Sequence, residues 1–325
     1  MKKFSLAVVG VTGMVGKTFL RVLEEKGLPI DKFYAFASKK SAGKTIVFNN
    51  KEYIVEELKE DSFDRGIDIA LFSAGGETSK KFAPIAAEKG CIVIDNSSAW
   101  RMDKDVPLVV PEVNPEDIFK HKGIIANPNC STIQAVVALK PLDEKYKIKR
   151  IVYSTYQAVS GAGVAGVLDL EGGLRGESPK MFLHPIANNC LPQIDVFTEN
   201  GYTKEEMKMI NETRKILHNE DLKITATTVR VPVMNSHSES INIEFYNNFE
   251  LDELIKTLEN SKGTKVINDW KSNKYPLATI ANNTDEVYIG RIRRDESLEN
   301  GINIWVVADN IRKGAATNAV QIAEI

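Results

Sequence analysis

"FSLAVVGVTGMVGKTFLRVLEEKG", residues 4–27, is the stretch whose reading decides the fold. An apolar, β-prone run breaks at Gly10, Gly13 and Gly16 and continues as an amphipathic segment stopped by Gly27. That order predicts a strand, a turn and a helix. The glycine spacing is GxxGxxG rather than the GxGxxG of the standard dinucleotide fingerprint. Its context, after a strand and opening a helix at the start of the chain, is the one a phosphate-binding turn requires. Glycines let the backbone approach a pyrophosphate, and the free N–H groups at the positive end of the helix hold the anion. The runs "FYAFAS", "DIALFSAGG", "CIVIDNSS" and "GIIANPNC" follow, separated by helical or polar material. Short apolar strands alternating with helices predict a parallel sheet covered on both faces. After the second run, "ASKKSAGK" at 37–44 contains no acid to bind a ribose 2′-hydroxyl. Ser38, Lys39, Lys40 and Ser41 suit a 2′-phosphate and favour NADP, the alternative being a solvated basic loop.

From about residue 147 the texture changes, with "KIKRIVYSTYQAVSG", "LKITATTVRVPVM" and "ESINIEFY" alternating apolar and polar residues. Long alternating strands predict an antiparallel or mixed sheet with one face buried and the other free to meet helices or a second subunit. "GINIWVVADNIRKGAATNAVQIAEI" reads as a strand followed by an Ala-rich helix, and the glycines of "LEGGLRGESPKM" read as a loop. A chain of 325 residues suits two domains. The formal net charge of −2 and the lack of a basic run argue against a nucleic-acid partner. No segment approaches the roughly 18–20 apolar residues that span a bilayer, so no membrane association is expected. "MKKFSLAVVGVTG" reads as a first strand, not a signal peptide. Cys91, Cys130 and Cys190 are widely spaced and form no CxxC pair, which argues against disulfides and a metal site and suits a reducing cytoplasm.

Cys130 lies in "NPNCSTIQAVVALKPL", where Pro128 fits a turn, Asn129 or Ser131 can cap a helix, and the rest supplies an apolar face. A thiol in a first helical turn is acidified by the unpaired N–H groups, which can then hold an oxyanion once the thiolate attacks a carbonyl. A packed core thiol is the competing reading. A cysteine nucleophile usually needs a base, and spacing does not choose among His121, His184, His218 and His237.

"GVTGMVG" at 10–16, "FSAGG" at 72–76, "DNSSAWRM" at 95–102, "PEVN" at 111–114, "ANPNCST" at 126–132, "YQAVSGAG" at 156–163, "VRVPV" with "HSES" at 229–240, and "WVVADNIRKGAATNAVQIAE" at 305–324 occur in this order. Through them the chain resembles the aspartate-β-semialdehyde dehydrogenases of the bacterial type along its whole length. The resemblance implies Cys130 as nucleophile, His237 as acid/base and Gln157 as the group orienting an acyl intermediate. It implies Arg101 and Lys208 at a phosphoryl group or inorganic phosphate, Arg230 at the substrate α-carboxylate, Glu205 at its α-amine, and Asn129 in the same site. Glu206 remains a substitute for Glu205. The implied cofactor contacts are Gly10, Thr12, Gly13, Met14, Val15, Ser38, Lys40, Ser41, Ser73, Gly75, Ser160, Gly161 and Asn310, with no metal. Val11 stands where the family usually has alanine. Lys40 stands where it usually has arginine, so a bidentate grip on the 2′-phosphate becomes a point-charge contact.

The implied fold is α/β. A Rossmann-like doubly wound parallel-sheet domain, residues 1–129 with the C-terminal helix 310–325, joins an α+β catalytic and dimerisation domain, 130–309, with a mixed, largely antiparallel sheet. The implied reaction is NADP-dependent reductive dephosphorylation of β-aspartyl phosphate to aspartate β-semialdehyde through a Cys130 thioester, in lysine, diaminopimelate, threonine and methionine biosynthesis. A homodimer or a tetramer is the implied assembly. N-acetyl-glutamyl-phosphate reductases share the chemistry but are expected to read Asn-Pro-Gly-Cys where this chain has "NPNC". A non-catalytic NADP-binding sensor would be favoured by loss of Cys130 or His237, and both are present.

Overall fold

Phe4–Val9 forms β1, whose last four side chains are fully enclosed. Gly10 then turns the chain at φ +84°, and a Cβ there would stand 2.2 Å from the Ser73 carbonyl oxygen. Only glycine meets both demands. Helix α1 (Met14–Lys26) follows and ends at Gly27 in the left-handed conformation. The computed structural model describes residues 3–325, which divide into two compact units, the chain up to Asn129 with Ala315–Ile325, and Cys130–Gly314.

In the first unit β2 (Ile30–Ala37) leads to a hairpin, β3 (Thr45–Phe48) and β4 (Lys51–Ile54), and to the short β5 (Glu56–Glu57). The hairpin escaped the sequence reading; its Phe48 and Tyr53 pack on Phe33, with ring centroids 4.4 and 5.0 Å away. Then come β6 (Ile69–Phe72), α2 (Gly76–Glu88), β7 (Ile92–Asp95) and β8 (Ile124–Ala126). Apart from the β3–β4 hairpin, these strands form one parallel sheet in the order β5-β2-β1-β6-β7-β8. Its core joins Leu6, Val8, Phe19, Leu23, Leu71 and Ile94 with Ala319 and Val320 of the C-terminal segment. Each large side chain so buried contributes about 1.5–3 kcal/mol.

The second unit opens with α3 (Cys130–Tyr146), in which Ser131 through Leu139 are all buried. β9 (Ile148–Gln157) and α4 (Gly163–Leu174) follow. The glycine-rich stretch expected as a loop is helical as far as Leu174, because Gly172 and Gly173 serve packing: a Cβ on Gly173 would lie 3.0 Å from the Ala187 Cβ. The loop beyond is gathered by the Asp169 carboxylate, which accepts from the N–H groups of Lys180, Met181 and Phe182. α5 (Lys204–Ile216), β10 (Lys223–Arg230), β11 (His237–Phe245), α6 (Leu251–Glu259), β12 (Thr264–Val266), α7 (Ala278–Ala281), β13 (Val287–Asp295) and β14 (Gly301–Ala308) complete it. The sheet order is β10-β9-β11-β14-β13-β12. β10/β9 and β13/β12 run parallel, and the three central pairings run antiparallel. The last strand does not pass directly into an α-helix as expected. A π-helical turn, Arg312–Thr317, intervenes before α8 (Asn318–Glu324), and Gly314 N–H donates to the Asp309 carbonyl five residues back.

Candidate active site

The glycine turn forms a candidate anion-binding cradle within the first unit. Gly13 caps α1 with no side chain bonded to its first turn, so the helix N-terminus is open. A Cβ on Gly16 would lie 2.2 Å from the Gly10 carbonyl oxygen, which forces the close-packed turn. Thr12 Oγ1 donates to Ser41 Oγ at 3.3 Å, drawing the loop after β2 beside the turn. Ser38 and Lys40 on that loop are exposed. Ser73 follows the neighbouring β6, its N–H donating to Val9 O, and Gly75 precedes α2 at φ +84°. Met14 and Val15 open α1. An open helix end and a cradle that side chains would fill fit the pyrophosphate of a dinucleotide. In the same unit Arg101 is buried, with Nε donating to Asn127 O at 3.0 Å and Nη2 to Asn96 O at 2.8 Å; Asn129 is buried as well.

The second unit gathers the reactive groups around the start of α3. Cys130 is its first residue, half-buried. Of the other thiols, Cys190 is exposed, and burial, helped by the nearby Asp68 charge, pushes the Cys91 thiol up to about 12. Arg230 ends β10; burial lowers its affinity for a proton, while Glu205 and Cys130 oppose that by their negative charge. Its Nη1 donates to the Ala158 carbonyl at 2.7 Å. His237 opens β11, wholly buried, and burial with the Arg230 charge holds it well below the usual histidine range. Its Nδ1 accepts the Ala158 N–H at 2.9 Å, and its Nε2 has no hydrogen-bond partner among the described residues. The other histidines are placed otherwise: His184 and His218 are exposed, and His121 accepts from Gly123 N–H.

Gln157, the last residue of β9, reaches Glu205 Oε1 at 3.3 Å and Thr155 Oγ1 at 3.3 Å. Glu205 Oε2 accepts from Lys208 Nζ at 3.1 Å, and Asp195 takes a second bond from that ammonium at 3.0 Å. Burial works against the Lys208 charge, but the two carboxylates outweigh it and hold the ammonium above the usual lysine range. The two glutamates differ in their partners. Glu206 caps α5 by accepting Thr203 N–H at 2.7 Å and also takes Thr228 N–H at 3.0 Å. Glu205 faces Gln157 and Lys208 instead. Ser160 and Asn310 bond each other through Asn310 Nδ2 at 3.0 Å, and Asn310 Oδ1 accepts Ser236 N–H at 2.9 Å. Gly161 stands over the ring: a Cβ there would lie 2.7 Å from Arg230 Nη1 and 3.2 Å from His237 Nε2.

The sequence reading did not single out three residues that neighbour these groups. Glu239, two residues beyond His237 on the same face of β11, is wholly buried, and burial and the Glu205 charge raise its carboxyl well above the usual range. Its inward parity with Ile241 and Ile243 was the signal that could have found it. Ala158 acts through its backbone. Gly314, in the π-helical turn, would place a Cβ 2.8 Å from the Cys130 Cβ. Neither leaves a side-chain signal to read.

The "Semialdehyde dehydrogenase, NAD binding domain" profile matches residues 5–121, and the "Semialdehyde dehydrogenase, dimerisation domain" profile matches residues 139–313. The aspartate-semialdehyde dehydrogenase of Aquifex aeolicus is 57% identical over 99% of this chain and 97% of its own length. That of Bacillus subtilis is 47% identical over 98% and 96%. The crystal structure of aspartate semialdehyde dehydrogenase II from Vibrio cholerae superposes with a TM-score of 0.96 at 49% identity, covering 99% of this chain and 98% of that one. The same enzyme complexed with ASA gives 0.96 at 48%, covering 100% and 98%. The Candida albicans enzyme with NADP gives 0.79 at 26%, covering 99% and 98%.

Proposed function

Since the chain belongs to the aspartate-semialdehyde dehydrogenase family, an oxidoreductase family, we propose that it reduces β-aspartyl phosphate to aspartate β-semialdehyde with NADP, through a thioester on Cys130. The observation that carries the reading is the grouping of Cys130 at the mouth of α3 with Arg230, Glu205 and a fully buried His237. Arg230 takes the α-carboxylate, where its planar fork outdoes a lysine. Glu205 takes the α-amine, and Lys208 and Arg101 supply positive charge for the phosphoryl group. The Cys130 thiolate attacks the acyl carbon; the C–S bond forms, the carbon–oxygen bond to phosphate breaks, and inorganic phosphate leaves. Gln157 holds the acyl chain. When bound, the dinucleotide supplies the hydride that converts the thioester into the aldehyde. Cys130 departs as thiolate when the C–S bond breaks, ready for another turn. Ser38, Lys40 and Ser41 give the preference for NADP, weakened by a lysine point charge. The aldehyde would serve amino-acid biosynthesis from aspartate, in the cytoplasm.

The test is phosphate-dependent reduction of NADP with aspartate semialdehyde, run beside N-acetyl-glutamate semialdehyde. Turnover of the former and loss of turnover in Cys130→Ala, with dinucleotide binding kept, are expected. Preference for the acetylated aldehyde, or a Cys130→Ala protein working at the wild-type rate, overturns the reading.

A further inference from the structure

We infer that Asp95 is the positioning residue for Arg101, and that it acts through the hydroxyl groups of Ser97 and Ser79. The inference rests on the reading above, in which Arg101 supplies positive charge for the phosphoryl group. Asp95 ends β7 with 0% of its surface exposed, and the turn that carries Arg101 begins at the next residue. A buried carboxylate needs hydrogen-bond donors, and this one takes them from residues that clamp that turn.

Each serine has its hydrogen bonds sorted by a second donor. Ser97 Oγ accepts the Ala99 N–H at 3.2 Å, so its own proton is left for Asp95 Oδ2, 2.5 Å away. Ser79 Oγ accepts the Trp100 Nε1–H at 2.9 Å, from an indole that can only donate, and its proton likewise turns to the Asp95 carboxylate. Burial raises the Asp95 carboxyl above the usual aspartate range, while the Ser97 and Ser79 bonds and the Arg101 charge pull the other way. The carboxylate therefore holds the turn at two consecutive residues, Ala99 by its backbone and Trp100 by its side chain. Arg101 is the next residue.

The main chain completes the frame. Asn96 N–H donates to Phe72 O at 3.0 Å, and Asn127 N–H donates to Asp95 O at 2.8 Å. Those bonds fix the two carbonyls that receive the guanidinium, Asn96 O taking Nη2 at 2.8 Å and Asn127 O taking Nε at 3.0 Å. Bonds to two nitrogens of a planar fork set its tilt as well as its place, and a tilted fork loses its paired approach to phosphoryl oxygens. Ser79 lies in the first turn of α2, its N–H donating to Gly75 O at 3.0 Å, so the frame is anchored in a helix.

Ser97→Ala removes one leg of the frame at a half-buried position, and Trp100→Phe removes the donor that orients Ser79 while keeping an aromatic ring. Both are expected to raise the KM for inorganic phosphate about tenfold in the direction that reduces NADP. The KM for the aldehyde and for NADP, and kcat at saturating phosphate, are expected to stay within about twofold. Ser97→Thr, which keeps the hydroxyl, is expected to restore the wild-type phosphate KM. An unchanged phosphate KM in both variants, or all the KM values rising together, overturns the inference. Asp95→Asn is expected to show the larger phosphate defect, and a wild-type phosphate KM in that variant overturns the inference too; should it fail to fold, the two outer variants decide.

A second readout is independent of turnover. On protein labelled with ¹⁵N-arginine, the Arg101 Nε–H signal, assigned by its loss in Arg101→Lys, is expected to be resolved in the wild type and in Ser97→Thr and to exchange away in Ser97→Ala. A signal unchanged in Ser97→Ala overturns the positioning role even if turnover falls. Failure of the wild type to reduce NADP with aspartate semialdehyde would sink the proposed reaction instead, while the Nε–H signal still reports on the frame.

Discussion

Glu239 sits directly across from Thr155 in the β11/β9 ladder, and neither of its carboxylate oxygens meets a hydrogen-bond partner among the described residues. Burial first, and the Glu205 charge second, keep it protonated well above the usual range. In the unfolded chain a glutamate ionises near pH ~4.3. The folded value is the higher one, so the contribution to stability is complete below the unfolded value and is lost as pH rises towards the folded value. Glu239→Gln keeps the shape with no proton to lose. It is expected to match wild type in Tm near about pH 4.5 and to exceed it increasingly towards about pH 8. A Tm difference that stays flat with pH in thermal scans would show that Glu239 ionises freely in the folded protein.

Two elements meet at Cys130, and their packing sets its position. α3 brings Cys130 in its first turn, and the π-helical turn Arg312–Thr317 presses Gly314 against it, so that an added Cβ would lie 2.8 Å from the Cys130 Cβ and 3.2 Å from its Cα. Neither neighbouring atom is the end of a flexible side chain. The turn itself is anchored: Arg312 forks onto Asp285 with two bonds of 2.9 Å, and Asp309 Oδ1 accepts from the N–H groups of Ile311 and Arg312. Gly314→Ala must therefore move Cys130 more than the turn. A loss in kcat of about 10²-fold is expected, with dinucleotide affinity unchanged, since a misplaced nucleophile forfeits its approach geometry. Steady-state kinetics beside a binding titration would check it, and an unaffected kcat would mean that α3 gives way without cost. α5 shows the same logic in capping: Thr203 and Glu206 satisfy each other, which leaves Glu205 to turn towards Gln157.

For the whole molecule, the second unit matches a dimerisation domain and exposes apolar side chains, among them Leu168, Leu174, Leu183, Val196 and Phe197. Singly they mean little, and the match to a dimerisation domain is what points to a second copy. Sedimentation is expected to give about twice the 36.1 kDa of one chain; a single-chain mass at micromolar concentration would remove that expectation. By itself the sequence determined the parallel first sheet, because short apolar strands around a Gly10–Gly16 turn have few other ways to bury themselves. It also determined the alternating strands of the second sheet and the order of motifs that names the family. It named Glu205 and His237 only through the family resemblance, with Glu206 kept as a substitute, since spacing along a chain says nothing of who faces whom. Tertiary structure separated them: a capping box claimed Glu206 and a sheet face enclosed His237. Ala158 and Gly314 act through a backbone N–H and a missing Cβ, interactions that exist only once distant segments are packed, and that is why only the folded chain discloses them.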